Sequence, residues 1–356
     1  MMKKRYDLGI LGFGGMGEYH YLRLQEWEGR PVEPVGVFDL NPARLEVAAG
    51  YGLKVYRSAE EMLADPAIDI VLVATSNDAH LPLSVAALQA GKHVLCEKPV
   101  TLTSEELCTL MQVAQQSGKV FTVDQNRRTD HDFVLLKRQI EQGLLGQVYH
   151  VDSHVDGSRG IPSGWRTVKA LGGGMLYDWG VHLIDQVMVL NPHAVTQVYC
   201  RLGHLDYADV DDNVELEMTF ADGMTAHIAI GTNNYIPRAR WYAAGREGTL
   251  RIGFWDCEGE VVRCRDKQNA WDEKIVYTKA GPTKTMAPRR SDSVETIALH
   301  EPTGFLDALP AVYQQLVDAV EGAPLQIKPE QCLRVLRVIE AAFASDAAKQ
   351  VIHTDI

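Results

Sequence analysis

The chain has 356 residues and a formal net charge of −12, and 46% of its residues are hydrophobic and 23% charged. These values are typical of a globular protein of about two domains, and the acidic balance disfavours nucleic-acid binding because phosphates would be repelled. No segment approaches the ~20 apolar residues of a membrane span, and the basic cluster Lys3-Lys4-Arg5 lacks the apolar core of a signal peptide. We therefore expect a cytoplasmic protein that binds neither nucleic acid nor a membrane.

The six cysteines carry little functional signal. Their positions form no C-x-x-C motif and no Cys/His spacing of the kind that binds zinc. We therefore expect reduced structural thiols and no metal site.

Short apolar runs alternate with segments of helical period in the first third of the chain. The predicted strands are Asp7–Leu11, Val35–Asp39, Ile70–Ala74, His93–Glu97 and Val120–Val123. Capping signals mark three helix starts, at Asn41-Pro42, at Ser58 with Glu61 and at Thr103 with Glu106, the last two as capping boxes. This alternation is typical of a parallel sheet connected by crossover helices.

A glycine-rich loop, Gly12-Phe13-Gly14-Gly15-Met16-Gly17, follows the first predicted strand and opens a helix. In that context G-x-G-x-x-G lets backbone N–H groups hold a pyrophosphate, which a Cβ would keep away. Asp39 ends the second strand about 20 residues further on, where an acid binds the ribose hydroxyls of a dinucleotide and repels a 2′-phosphate. The pattern favours NAD over NADP, although Arg44 is a nearby cation that can accommodate the extra phosphate.

The tripeptide Glu97-Lys98-Pro99 ends a strand at the edge of the sheet where open parallel sheets bind ligands. A lysine there can polarise a substrate oxygen or assist proton movement. The alternative is a lysine in a solvated loop.

The order of elements changes after Asp130, which indicates a second domain. The predicted elements are the helix Phe133–Gln142, the strand Val148–Asp156, the helix Gly174–Leu190, several strands of period two, and the closing helices Phe305–Glu321 and Glu330–Gln350. In Asp212–Phe220 apolar and polar residues alternate, so one face of this sheet is packed and the other is solvated or forms a partner interface.

Within the helix Gly174–Leu190, the four-residue step from Asp178 to His182 places both side chains on one face, roughly 6 Å apart along the axis. A carboxylate beside an imidazole favours the imidazolium and orients it, which suits a group that takes a hydroxyl proton. The alternative is the polar stripe of an amphipathic helix, which Asp185 and Gln186 continue.

In chain order, these motifs together with Asn126-Arg127-Arg128 and Leu325-x-x-x-Pro329-Glu330-x-x-Leu333 resemble the Gfo/Idh/MocA family, named after glucose–fructose oxidoreductase and inositol dehydrogenase. The resemblance implies an α/β N-terminal Rossmann domain over residues 1–127. It also implies an α+β C-terminal domain over residues 128–356, with a large, mostly antiparallel open sheet. The free face of that sheet would form a homodimer or homotetramer contact.

The resemblance also implies the roles of site residues. Lys98 would polarise the reacting oxygen, Asp178 would be its catalytic partner, and His182 would be the general acid/base. The expected cofactor neighbours beyond the glycine loop and Asp39 are Thr75, Asn77, His80, Glu97, Lys98 and Gln125, and the expected substrate neighbours are Lys98, Arg127, Trp165, Arg166, Asp178 and His182. Two positions depart from the family's usual residues: Asp124, which either shapes the pocket or ends a strand, and Trp179, which we expect to pack in the core.

The implied activity is hydride transfer between nicotinamide and a secondary hydroxyl or ketone of a cyclic polyol, sugar or glycoside. One alternative is a redox-neutral NAD-dependent glycosidase or lyase that oxidises its sugar transiently. Another is a non-catalytic dinucleotide-binding regulator, a class that tends to lose the lysine or histidine kept here. Substrate choice would depend on the loops Ser158–Lys169 and Ala270–Ser293.

Overall fold

The computed structural model of the chain describes residues 5–265, 274–284, 286, 289, 291–300 and 309–356. Its first sheet has six strands, all parallel, in the order β3-β2-β1-β4-β5-β6. The strands are β1 (Tyr6–Leu11), β2 (Val32–Phe38), β3 (Lys54–Val55), β4 (Ile70–Val73), β5 (His93–Cys96) and β6 (Phe121–Val123). The strand order reverses between β1 and β4, and a crevice therefore opens at their carboxyl ends.

Crossover helices connect these strands: α1 (Gly15–Glu26), α2 (Pro42–Gly50), α3 (Ala59–Ala64), α4 (His80–Gln89) and α5 (Ser104–Ser117). Two of the predicted caps are confirmed, because the Asn41 side chain accepts from the Ala43 N–H and Thr103 forms a reciprocal capping box at α5. At α3 the prediction is half right. The Ser58 hydroxyl caps the helix, but the carboxylate of Glu61 accepts from the N–H of Arg57, one residue further out, which leaves the box incomplete.

The second sheet has nine strands in the order β16-β13-β12-β11-β7-β10-β9-β8-β17. Only the pair β7–β10 is parallel, which confirms the expected large, mostly antiparallel sheet. The strands after β6 are β7 (Val148–Asp156), β8 (Val195–Gly203), β9 (Asn213–Phe220), β10 (Thr225–Gly231), β11 (Trp241–Gly245), β12 (Gly248–Ile252), β13 (Gly259–Cys264), β14 (Val276–Thr278), β15 (Gly281–Thr283), β16 (Val294–Leu299) and β17 (Ile352–His353). β14 and β15 form a separate ribbon within the expected specificity loop, of which residues 270–273, 285, 287, 288 and 290 lie outside the described part.

One face of the second sheet is packed and the other, here called the free face, is polar. In β9, Leu216 and Met218 are buried, whereas Glu215 and Glu217 are exposed on the free face. The predicted one-sided alternation is therefore confirmed.

The α-helices that follow the first sheet in the described part of the chain are α6 (His131–Glu141), α7 (Val181–Leu190), α8 (Leu309–Val320) and α9 (Pro329–Ala348). α8 returns to the first sheet, where Leu316 and Val317 join the core around Leu8. The predicted start of this helix at Phe305 lies outside the described residues. None of the helices in the described part is both long and apolar enough to span a membrane.

The last long helix connects the two sheets. Glu340 on α9 accepts from the backbone N–H and hydroxyl of Ser104, at the start of α5, at 2.7 and 2.8 Å. On its other side, Ser345 accepts from the backbone N–H of Cys200 in β8 at 2.9 Å. α9 thus fixes the position of the second sheet relative to the first.

Candidate active site

A cavity of about 690 Å³ occupies the crevice at the carboxyl end of the first sheet. The predicted site residues in its wall are Gly12, Gly14, Gly15, Met16, Asp39, Thr75, Asn77, His80, Glu97, Lys98, Trp165 and Arg166. The cavity therefore runs from the glycine loop to the loop that carries the aromatic and arginine pair expected to contact substrate.

The glycine loop leaves room for a phosphate group. Gly14 is the N-cap of α1 and offers no side-chain cap, so among the described residues no capping side chain satisfies the first N–H groups of the helix. A Cβ at Gly14 or Gly15 would meet nothing within 4 Å, whereas a Cβ at Gly17 would collide with the backbone oxygen of Gly12. The loop is thus tightly packed at Gly17, whereas Gly14 and Gly15 border open space and the backbone N–H groups of the helix start are available as donors. This arrangement fits the pyrophosphate of a dinucleotide.

Asp39 lies in the cavity wall at the end of β2. Its carboxylate accepts from the N–H of Phe13 at 2.6 Å and from the N–H of Asn41 at 2.7 Å. Arg44 donates its Nε to the carbonyl oxygen of Phe13 and pairs with Glu18. Its guanidinium is therefore already engaged, and Arg44 does not line the cavity.

Two expected cofactor neighbours serve to shape the cavity wall. The ring nitrogens of His80 lie 2.8 Å from the carbonyl oxygen of Pro99 and 3.2 Å from that of Thr75. The Asn77 amide donates to the carbonyl oxygen of Gly172 at 3.2 Å. These contacts fix the loop after β4 against both the Lys98-Pro99 turn and the loop that contains Gly172.

Of the residues expected at the cofactor, Phe13 and Gln125 lie outside the cavity wall, whereas Glu97 lies in the wall with its carboxylate engaged. The phenyl ring of Phe13 is buried against tyrosines rather than turned to the cavity. Both carboxylate oxygens of Glu97 are engaged, one by the His20 ring at 3.0 Å and the other by the N–H of Lys98 at 3.1 Å. Gln125 lines a separate cavity of about 380 Å³ between α6 and α8, because the chain turns away at the end of β6.

The catalytic candidates Lys98 and Asp178 meet beyond the end of β5. The Nζ of Lys98 donates to the backbone oxygen of Asp178 at 2.8 Å and to its Oδ1 at 3.0 Å. Arg166 donates its Nε to Oδ2 of the same carboxylate at 2.8 Å. Burial would raise the pKa of Asp178, but Lys98 and Arg166 together hold that pKa below its usual value.

His182 is buried, and its Nδ1 has no hydrogen-bond partner among the described residues. Burial lowers its pKa well below 6.5, and the positive charges of Lys98, Arg127 and Arg240 lower it further. The imidazole is therefore neutral at neutral pH, with a free lone pair available to accept a proton.

The expected imidazolium pair between Asp178 and His182 is wrong. The carboxylate is taken up by Lys98 and Arg166, and the residues Leu176–Gly180 form a π-helical turn ahead of α7. A π turn is wider than the α-helical turn on which the four-residue spacing rested, and such turns are frequent at functional sites.

An aromatic and cationic stack borders His182, and sequence reasoning did not foresee it. The guanidinium carbon of Arg127 lies 4.1 Å from the ring centre of Trp179 and 6.0 Å from that of Trp255. The Trp179 ring meets the His182 ring edge-on, with 6.2 Å between the ring centres. Trp179 therefore lies beside the catalytic histidine candidate as well as against the core. Trp255 comes from the turn after β12, and no local motif marks it.

Comparisons with known proteins agree with this geometry. Residues 6–125 match a family model for the GFO/IDH/MocA oxidoreductases, described as an oxidoreductase family with an NAD-binding Rossmann fold. Residues 133–251 match the GFO/IDH/MocA C-terminal domain. The chain belongs to the Gfo/Idh/MocA family. The resemblance and the fold expected from its motifs are thereby confirmed.

Three relatives illustrate this membership. The scyllo-inositol 2-dehydrogenase (NADP(+)) IolW of Bacillus subtilis is 29% identical over 358 residues, which cover 97% of this chain and 95% of that protein. The levoglucosan dehydrogenase of Pseudarthrobacter phenanthrenivorans is 29% identical over 317 residues, or 76% of this chain and 80% of that protein. The crystal structure of an NAD-binding protein from Listeria innocua superposes with a TM-score of 0.92 at 41% identity, covering 99% of this chain and 100% of that one. This Gfo/Idh/MocA protein is an NAD(P)-dependent oxidoreductase of small molecules.

Asp124, at which this Gfo/Idh/MocA chain departs from the family's usual residue, belongs to a buried cluster behind Lys98. The His20 ring lies 2.9 Å from the Tyr313 hydroxyl, 3.0 Å from Glu97 and 3.4 Å from Asp124. Burial, followed by the charge of Glu97, raises the pKa of Asp124 to about 6. This carboxylate therefore neither lines the catalytic cavity nor merely ends β6. It shares His20 with Glu97 and so supports the residue that precedes Lys98.

Proposed function

We propose that this chain is an NAD-dependent dehydrogenase that transfers a hydride between nicotinamide and a secondary hydroxyl or ketone of a cyclic polyol, sugar or glycoside. One observation carries the proposal: His182 is a neutral, buried imidazole with a free ring nitrogen, near a lysine that ends the dinucleotide crevice. A neutral imidazole is the form that can remove a hydroxyl proton.

The protein's own residues divide the work of alcohol oxidation. His182 takes the hydroxyl proton, and Lys98 stabilises the oxygen on which negative charge develops. Asp178 holds the lysine by two contacts and is itself held by Arg166, so it acts as a positioning residue for both cations. Bound NAD supplies the hydride acceptor, and in the reverse reaction His182 returns the proton.

The substrate side of the cavity favours a polyhydroxylated ring. Trp165 and Arg166 lie in its wall, with the guanidinium carbon of Arg166 4.4 Å from the centre of the Trp165 ring. An aromatic ring packs against the apolar face of a sugar, and guanidinium and ammonium groups donate to its hydroxyls. Two relatives that carry the names scyllo-inositol and levoglucosan dehydrogenase support the same substrate class.

The choice of NAD over NADP rests on Asp39, because this acidic residue lines the cavity while Arg44 is engaged elsewhere. We expect the variant Asp39→Asn to shift the ratio of the NADP and NAD affinities about tenfold towards NADP. The amide removes one repelling charge, while its single oxygen keeps one of the two N–H contacts. Titration of each cofactor, followed by protein fluorescence, measures the change. Asp78→Asn, on the exposed turn after β4, is the matched control. Unchanged discrimination in Asp39→Asn would assign cofactor choice to another residue.

The activity itself is tested by following reduced nicotinamide absorbance with NAD or NADP against inositols, aldoses, glycosides and anhydrosugars. We expect reduction of NAD with one stereochemical subset of this panel. Glycoside cleavage that needs only catalytic NAD and gives no net reduced cofactor would favour the redox-neutral glycosidase or lyase. Binding of NAD without turnover of any substrate would favour a non-catalytic regulator.

The two sheets suggest how the parts of the chain share this work. We propose that residues 1–127 bind the dinucleotide and that residues 128–356 bind substrate and form a homodimer or homotetramer through the free face. The exposed Tyr242, which pairs with Asp152 on the free face, supports a contact there, because tyrosine is enriched at interfaces. α8 is the exception to this division, since it packs on the first sheet.

A further inference from the structure

A cluster of histidines and a carboxylate lies on the free face of the second sheet, away from the catalytic cavity. Asp152 and His154 alternate along β7, and His227 is paired with Asp152 in the parallel register of β10. One ligand atom from each of the three residues lies within 4.8 Å of the others. The intervening Ser153 faces the opposite side of the sheet, where Arg240 contacts it at 2.8 Å.

His154 is held in the state that binds metal ions. Its Nδ1 lies 2.9 Å from the carbonyl oxygen of Ala239, so this nitrogen carries a proton and donates it. The lone pair is then on Nε2, which is buried and has no partner in the described part of the chain. A ring nitrogen fixed by a carbonyl, with the other left free, is the usual arrangement of a metal-binding histidine.

The ring of His227 lies between two carboxylates, and its Nδ1 is the atom that would bind an ion. Its Nε2 lies 2.7 Å from Oε2 of Glu215, which orients the ring, and its Nδ1 faces Oδ1 of Asp152 at 3.6 Å. The adjacent His150 contributes a further nitrogen 2.9 Å from that Asp152 oxygen. Two carboxylates and three imidazoles thus converge on a small area, and the cation Arg238 is bound to Asp156 and Glu215 at its edge.

We propose that Asp152, His154 and His227 form a zinc site, with water as the fourth ligand. Imidazole nitrogen and carboxylate oxygen are ligands that Zn²⁺ binds at about 2 Å. Ligand atoms of a tetrahedral site are then about 3.3 Å apart, whereas here they lie within 4.8 Å of one another. Small side-chain rotations would therefore bring them to bonding distance from a shared ion. Glu215 and the Ala239 carbonyl supply the outer contacts that fix both rings. The site is separate from hydride transfer. It lies on the free face that is proposed above as the oligomer contact, so a bound ion would lie at or beside that contact.

Titration of the purified, chelator-treated protein with Co²⁺, a spectroscopic substitute for Zn²⁺, tests the site. We expect one equivalent to bind with the visible absorbance of a four-coordinate ion, and Zn²⁺ to displace it. His154→Gln and Asp152→Asn should each weaken binding at least about tenfold. His193→Gln, at an exposed histidine outside the cluster, should bind like the parent protein.

Three outcomes would overturn the proposal. The first is the absence of any visible cobalt spectrum. The second is a thiolate-to-cobalt charge-transfer band, which would assign the ion to cysteines. The third is parent-like binding by both His154→Gln and Asp152→Asn. Circular dichroism of each variant separates lost binding from lost folding, and if His154→Gln does not fold, Asp152→Asn decides the question alone.

Discussion

Replacing His182 by alanine is expected to lower kcat by about 10²–10⁴-fold, the usual contribution of a general acid/base. The affinity for NAD should stay within about twofold of the parent, because His182 lies in α7 and does not line the wall of the dinucleotide cavity. Steady-state turnover with the best substrate, together with cofactor titration, measures both quantities. His193→Ala, at an exposed histidine, is the matched control and should leave kcat unchanged. Parent-like turnover by His182→Ala would remove this residue from the reaction.

The pH profile gives an independent test of the same residue. The pKa of His182 is lowered well below 6.5, so the ring stays neutral as the pH falls through 6.5 and becomes charged only at lower pH. In the oxidation direction we therefore expect kcat/KM to hold its value down to that lowered pKa and to fall below it. A loss of activity centred at or above pH 6.5 would contradict a neutral buried base.

Replacing Lys98 by methionine is the second change with a large expected effect. We expect kcat/KM to fall by about 10²–10³-fold, because the variant lacks the charge that stabilises the developing oxyanion. The acid limb of the pH profile should also move to higher pH. After burial, Lys98 is the largest influence that lowers the pKa of His182, and its removal raises that pKa. Rate assays across pH measure both effects.

One further variant separates charge from shape at Lys98, and a second, on α6, is the control. Lys98→Arg keeps the charge, so the acid limb should return to its parent position even if the rate does not fully recover. Lys137→Met removes an exposed lysine of α6 that pairs with Glu141, and it should change neither rate nor profile. An acid limb that stays in place in Lys98→Met would show that this lysine does not act on His182.

Much of the fold was predictable because the signals are local. The glycine loop, the caps at Asn41 and Thr103, and the period-two pattern of Asp212–Phe220 each report the conformation of neighbouring residues. Such signals also located the catalytic cavity, since the loops that follow β1 and β5 meet at the same edge of a parallel sheet.

The site itself was less predictable because its contacts join distant parts of the chain. Arg166 takes one oxygen of Asp178 and Lys98 takes the other, and this competition left His182 without the expected carboxylate. The alternation of His150, Asp152 and His154 was readable in the sequence as one face of a strand. Spacing along the chain does not reveal the whole cluster, because His227 joins these residues only through strand pairing.

The position of α9 has a consequence for how the chain folds during synthesis. Its hydrogen bonds join residues up to 236 positions apart. In the turn before α9, the carbonyl oxygen of Ile327 accepts from the hydroxyl of Thr122, 205 positions earlier. Both sheets therefore leave the ribosome, except for β17, before the helix that fixes their relative position has been made. Contacts of such long range form slowly, and the apolar surfaces that α9 will cover stay exposed in the meantime. During synthesis, therefore, the strands of both sheets other than β17 are made before the helix that joins the two sheets.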